Sequence, residues 1–147
     1  MAYVITLNNQ LQGIAANESD KNDYNVFFPP SVAVEISDSD FNKLKNDTGN
    51  VQIAEDGSVT IVDNTTTPVY DNLEDLQKYT NSVKQKMKYF LEPACNNNSK
   101  GIYNSINTYN NLLKNFDWST ITFPLNKTWE QHCEDNSIEY VSPLQIP

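Results

Sequence analysis

The chain has 147 residues, a net charge of −9 and 38% apolar content, which bounds it to one domain with a thin core, able to bury roughly two-thirds of its unfolded surface. Twenty-one asparagines and ten lysines stand beside no arginine, one histidine (His132) and two cysteines (Cys95 and Cys133), so the side chain best suited to bidentate phosphate or carboxylate recognition is missing. The acidic balance argues against nucleic acid and anionic membranes as partners, and four glycines with no GxGxxG or GKS setting leave no phosphate loop.

In chain order, residues 1–16 read as a hairpin: Tyr3, Ile5 and Leu7 alternate, Asn8-Asn9-Gln10 turns, and Leu11 to Ala15 returns. The start lacks a basic leader, its apolar run is short, and no segment approaches the ~20 apolar residues of a membrane span. The expectation is a chain that stays in the cytosol where it is made, with free thiols. Residues 17–25 are polar and charged and read as a loop. Val26-Phe27-Phe28 reads as a short strand ended by Pro29-Pro30, and Val32, Val34 and Ile36 alternate as another strand.

Ser37 or Ser39 is placed to cap a helix over about 38–46, with Phe41 and Leu44 on its apolar face and Gly49 beyond its end. Residues 50–62 form the clearest hairpin signal, in which Val51 and Ile53 lead into Glu55-Asp56-Gly57-Ser58 and Val59 and Ile61 lead out. Residues 63–68, Asp-Asn-Thr-Thr-Thr-Pro, read as a linker. The division is thus a β-rich part at 1–62, a linker at 63–70 and a helical part at 71–147, forming one compact domain or two subdomains.

Asp71 or Asn72 caps a helix over about 73–92, with Leu73, Leu76, Tyr79, Val83, Met87, Phe90 and Leu91 at helical spacing. Pro93 and Asn96-Asn97-Asn98 end it. A second helix over about 101–115 carries Ile102, Ile106, Tyr109, Leu112 and Leu113 on one stripe, and the two are expected to pair as a helical hairpin. Thr128 or Asn126 caps a short helix at about 129–135, and Tyr140 to Pro147 reads as an extended, proline-punctuated end. The fold class is α+β.

Chemistry-bearing residues are sparse. His132 and Cys133 are neighbours, so on a helix they point about 100° apart and cannot act as a nucleophile–base pair, and Cys95 reaches His132 only through the fold. No CxxC or HxxxH spacing marks a metal site. The paired carboxylates fall at helix starts and turns, where dipole and turn geometry account for them. No catalytic residue, metal or cofactor is expected. Aromatics crowd the last third, where Phe116, Trp118, Phe123, Trp129 and Tyr140 are either the core under the last helix or interface anchors. As an interface set, Trp118, Phe123, Trp129 and Tyr140 are joined by Leu144 and Ile146 of the extended end, and the β-edges of the N-terminal sheet and of that extended end are expected to pair with a partner strand.

The stretch Phe116-Asp117-Trp118…Trp129-Glu130-Gln131-His132-Cys133, preceded by Leu112-Leu113 and followed by Pro143 to Pro147, resembles the C-terminal region of phage tail-fibre assembly proteins. Val34-Glu35-Ile36-Ser37 through Phe41, Leu44 and Gly49 to Asp56-Gly57 is similar to that family's strand, small helix and hairpin. The ending Ser142 to Pro147 looks more like small virion-associated proteins of AT-rich marine phages, and Gln131-His132-Cys133 stands where the family carries arginines. The resemblance implies a non-enzymatic virion accessory, tail or tail-fibre associated, whose partners are other phage structural proteins of the tail fibre, tail or capsid. A fibre-assembly chaperone absent from the virion and a capsid-decorating protein are the alternatives, and homo-oligomerisation is left open. The implied location is the virion, after synthesis in the host cytoplasm.

Overall fold

A computed structural model describes residues 1–92 and 100–147. Strand β1 (Ala2–Leu7) turns at Asn8 and Asn9, both at positive φ (52° and 59°), into β2 (Gln10–Ala15). Asparagine reaches this left-handed region more readily than most residues, and the mirror-image turn matches the twist of the strands. Ile5 pairs with Gly13 but Thr6 with Leu11, so Gln12 forms a bulge. Strand β3 (Val32–Ile36) joins the other side of β1 antiparallel, giving the order β2-β1-β3. Central β1 is buried on both faces: Ala2 and Val4 meet the second core, Tyr3 and Ile5 a third.

Between β2 and β3 lies the first departure from expectation. Residues 17–25 do not form a loop, and Val26–Phe28 do not form a strand; Glu18–Phe27 is a helix, α1. Asn17 caps it, its side-chain oxygen accepting the Asp20 N–H at 2.9 Å, and Glu18 and Asp20 complement the helix dipole. Periodicity fails here because only Asp20 and Tyr24 of the ten residues are buried. The cap and the tertiary contacts of Tyr24 and Phe27 hold the helix, with no apolar stripe to advertise it.

The next elements follow the sequence closely. Helix α2 (Asp38–Lys45) is capped by Ser37 and buries Phe41 and Leu44 against β1 and β2. Strands β4 (Gly49–Ile53) and β5 (Val59–Asp63) form a separate two-stranded hairpin whose turn uses Gly57 at φ 88°, while the Asp56 carboxylate accepts from the Ser58 N–H and hydroxyl. Helix α3 (Leu73–Leu91) starts at Asn72 and packs on α4 (Lys100–Lys114), and a short α5 (Trp129–Asp135) starts at Thr128. The main core fills the space between these helices with Leu76, Val83, Met87, Ile106, Tyr109, Leu113 and Trp129. The protein is α+β, its strands in the first half and most of its helix in the second.

The halves are stitched together. Tyr70, at the end of the expected linker, exchanges two backbone hydrogen bonds with Leu125 (2.9 and 2.8 Å). The Thr128 hydroxyl donates to the Asn46 carbonyl at 2.6 Å, and the Tyr140 hydroxyl donates to the Asn46 side chain. The Lys86 ammonium donates to the Pro143 carbonyl at 2.6 Å.

Candidate functional site

The aromatic cluster takes the core alternative. Trp129 is fully buried, donating its indole N–H to the Tyr109 hydroxyl at 2.8 Å, with the rings of Phe116, Trp118 and His132 within 5.4–5.6 Å. Tyr140 and Ile146 are also buried, while Trp118, Phe123 and Leu144 are half-buried. In this fold Trp129, Tyr140 and Ile146 are therefore not surface anchors. A thin core has few large apolar groups to draw on, and burying an aromatic side chain stabilises by about 1.5–3 kcal/mol.

The expected extended end is corrected in the same way. Ser142 begins a one-turn 3-10 segment, Pro143–Gln145, with a reciprocal cap between Ser142 and Gln145. Val141, Ser142, Gln145 and Ile146 are buried. Rather than offering a free edge, this segment closes one. The Tyr24 hydroxyl of α1 lies against Gly13 of β2 and donates to the Leu144 carbonyl. Asp20 of the same helix is buried, and burial raises its carboxyl pKa against the opposing effect of the Ala16 backbone just past β2. Gly13 makes this closure fit, because a methyl there would overlap both the Tyr24 hydroxyl and the Leu144 carbonyl.

The opposite edge is open. Among the described residues the outward backbone groups of β3 have no backbone partner. Val32 on this strand is 56% exposed, and Glu35 is exposed. A groove of about 380 Å³ runs between α1 and the start of β3, lined by Lys21, Asn22, Asn25, Ser31 and Ala33. Unpaired strand groups beside amide side chains are what an incoming strand requires. Sequence reading named sheet edges in general; only α1 and the terminal turn, both misread from sequence, decide which edge is free. The signal for α1 was present in Asn17-Glu18-Ser19-Asp20, a cap followed by acidic residues.

A second feature is a buried polar cluster under α5. Glu130 is 1% exposed; one carboxyl oxygen accepts from the Tyr79 hydroxyl and the other has no hydrogen-bond partner among the described residues. Burial pushes its pKa to about 7, opposed by the Tyr79 hydrogen bond and reinforced by the charge of Asp47. Burial first, then Glu130, drives the Tyr79 hydroxyl far up, and burial with Glu130 does the same to the Cys133 thiol. A thiol so shifted is an inert core group rather than a nucleophile.

His132 is half-buried, stacked on Trp129 and held below its ordinary pKa by burial and Lys127, with the Asn136 side chain 3.3 Å from its Nδ1. The considered approach of Cys95 to His132 lies outside the described residues. Among the described residues no three His, Cys, Asp or Glu side chains cluster as a metal site would. A cleft of about 530 Å³ includes Asp20, Lys45, Glu134 and Tyr140 among its walls; its one lysine sits over the Tyr140 ring at 4.6 Å. No helix of the described residues is long and apolar enough to cross a membrane.

The chain matches no protein-family profile, no curated protein and no solved structure.

Proposed function

We propose that this protein is a non-enzymatic accessory of a bacteriophage virion, associated with the tail or its fibres, that binds a partner chain by strand addition to β3. The observation that carries the binding mode is the contrast between β2, overlaid by Tyr24 and the terminal turn, and β3, whose outward backbone groups have neither such cover nor a backbone partner among the described residues. The phage setting rests on the resemblance of residues 112–133 and 34–57 stated above. Five residues of β3, preceded by Pro29-Pro30, limit the pairing to a short partner strand and disfavour runaway self-propagation.

The test is mass spectrometry of purified particles from an infected host, with wild-type protein and with Val32→Lys, which places a charge on the exposed edge without touching the core. Wild-type protein should be found in the particles, and the variant should be absent while melting at the wild-type temperature. A protein missing from particles, or a variant incorporated normally, would sink the proposal.

A further inference from the structure

Ten lysines serve a chain of net charge −9, and the structure places the side chains of nine of them. Lys21, Lys43, Lys78 and Lys127 form ion pairs with Glu18, Asp63, Glu74 and Asp135. Lys45 lies over Tyr140, and Lys86 reaches the Pro143 carbonyl. Lys84, Lys88 and Lys114 have no such partner among the described residues, and they line one groove of about 540 Å³ between α3 and α4. Helical phase explains the sorting: Lys84 and Lys88 are four residues apart and share a face, whereas Lys86 points elsewhere.

Like charges at this spacing, with a third opposite, repel one another, and among the described residues no contact offsets that repulsion. Asn81, Gln85 and Asn110 supply amide donors and acceptors along the same walls, Leu91 an apolar patch, and Glu92 the one acidic group. From residue 81 to residue 92 the groove extends about 16 Å, enough for about five residues of extended chain.

We infer that the α3–α4 groove is a docking surface for a short acidic segment of a partner polypeptide, its carboxylates meeting Lys84, Lys88 and Lys114 and its backbone meeting the amides. Charge complementarity selects the partner's sign. The groove has neither arginine nor an aromatic stacking platform among its walls, and the field of a −9 protein repels a long polyanion, so a nucleic acid is the poorer fit. This surface is distinct from the β3 edge and stands or falls independently of it.

A fluorescein-labelled peptide of alternating Glu and Ser, titrated into the full-length protein at low salt, should bind with an affinity that falls as salt rises. Lys84→Glu with Lys88→Glu and Lys114→Glu should weaken it by at least about tenfold, the sum of three modest charge contacts. The control pair Lys21→Glu with Lys78→Glu, elsewhere on the surface, should leave affinity unchanged. Zero-length carbodiimide coupling to wild-type protein should map to Lys84, Lys88 or Lys114, which reads the site without depending on the folding of a variant. No peptide binding, equal loss in the control pair, coupling confined to other lysines, or tighter binding of a twenty-nucleotide oligothymidine would each overturn the inference.

Discussion

The two edges of the three-stranded sheet are built from the same kind of strand and end in opposite states. β2 is overlaid by α1 and by the last turn of the chain, with the Tyr24 hydroxyl set against Gly13 and bonded to the Leu144 carbonyl. β3 has no such cover among the described residues and carries an exposed Val32 beside a polar groove. An unpaired edge invites pairing with any available strand, so closing one edge and leaving the other confines association to a single direction. The difference lies in what is laid over the strands, with Gly13 of β2 leaving the room for that cover. Edge availability is thus a tertiary property, written by a helix and a terminus far apart in sequence.

The comparison is broken most severely by removing the cover. Deleting residues 140–147 takes away Tyr140, Val141 and Ile146, all buried in the main core, together with the carbonyls that Tyr24 and Lys86 address. The expected outcome is loss of the cooperative thermal transition in circular dichroism, with concentration-dependent aggregation through the uncovered β2 edge. A truncated chain that melts like wild type would show that the segment is an appendage, as an extended end would be.

A narrower break is Gly13→Ala. Its methyl collides with the Tyr24 ring and hydroxyl and with the Leu144 backbone, so the seal must open and leave the Tyr24 hydroxyl without its Leu144 acceptor. Overpacking and an unsatisfied donor together should cost about 3–5 kcal/mol, readable as a lowered urea midpoint. The same substitution would be mild if the β2 edge were open.

What was legible from sequence, and what was not, divides along the same physical line. Elements with local signatures came through: the Asp-Gly hairpin at β4–β5, the stripe of α3, and the caps at Ser37, Asn72 and Thr128. Each is fixed by residues within a turn or two of one another. Helix α1 was hidden because ten residues bury only two side chains, and its evidence sits instead in contacts to Gly13, Leu144 and Phe90. The terminal segment was hidden because two prolines read as extended chain, while Ser142 and Gln145 form a cap that tucks Ile146 inward. Glu130 looked like an ordinary acidic residue at a helix start, where the dipole favours its charge. Its burial depends on Tyr79, 51 residues away, and no local pattern reports that.

That buried carboxyl gives the finest test of the seal, because Tyr79 lies on the wall of a small cavity shared with Ser142, Pro143 and Leu144. Unfolding frees Glu130 to titrate near its ordinary 4.5, whereas folding raises it to about 7. The folded state therefore holds the extra proton between those values, and stability must fall as pH rises through this window and level off above it. The full drop from this group is about 3 kcal/mol at the usual conversion of pKa difference into free energy. Burial also raises Asp20 and Asp47, which add slope of the same sign toward the acid end, so a wild-type profile alone does not isolate Glu130. Glu130→Gln does: the amide oxygen still accepts from Tyr79, but nothing ionises. Urea midpoints measured from pH 5 to pH 8.5 should decline for wild type and lie flatter for the variant, the gap opening between pH 5 and 7. If the seal feels this charge, the protection factor at Ile14, corrected for the intrinsic pH dependence of exchange, will also fall across the same interval in wild type while the variant's stays level. Parallel midpoint profiles for the two proteins would mean that Glu130 is ionised in the fold and that its orphan oxygen is reached by water.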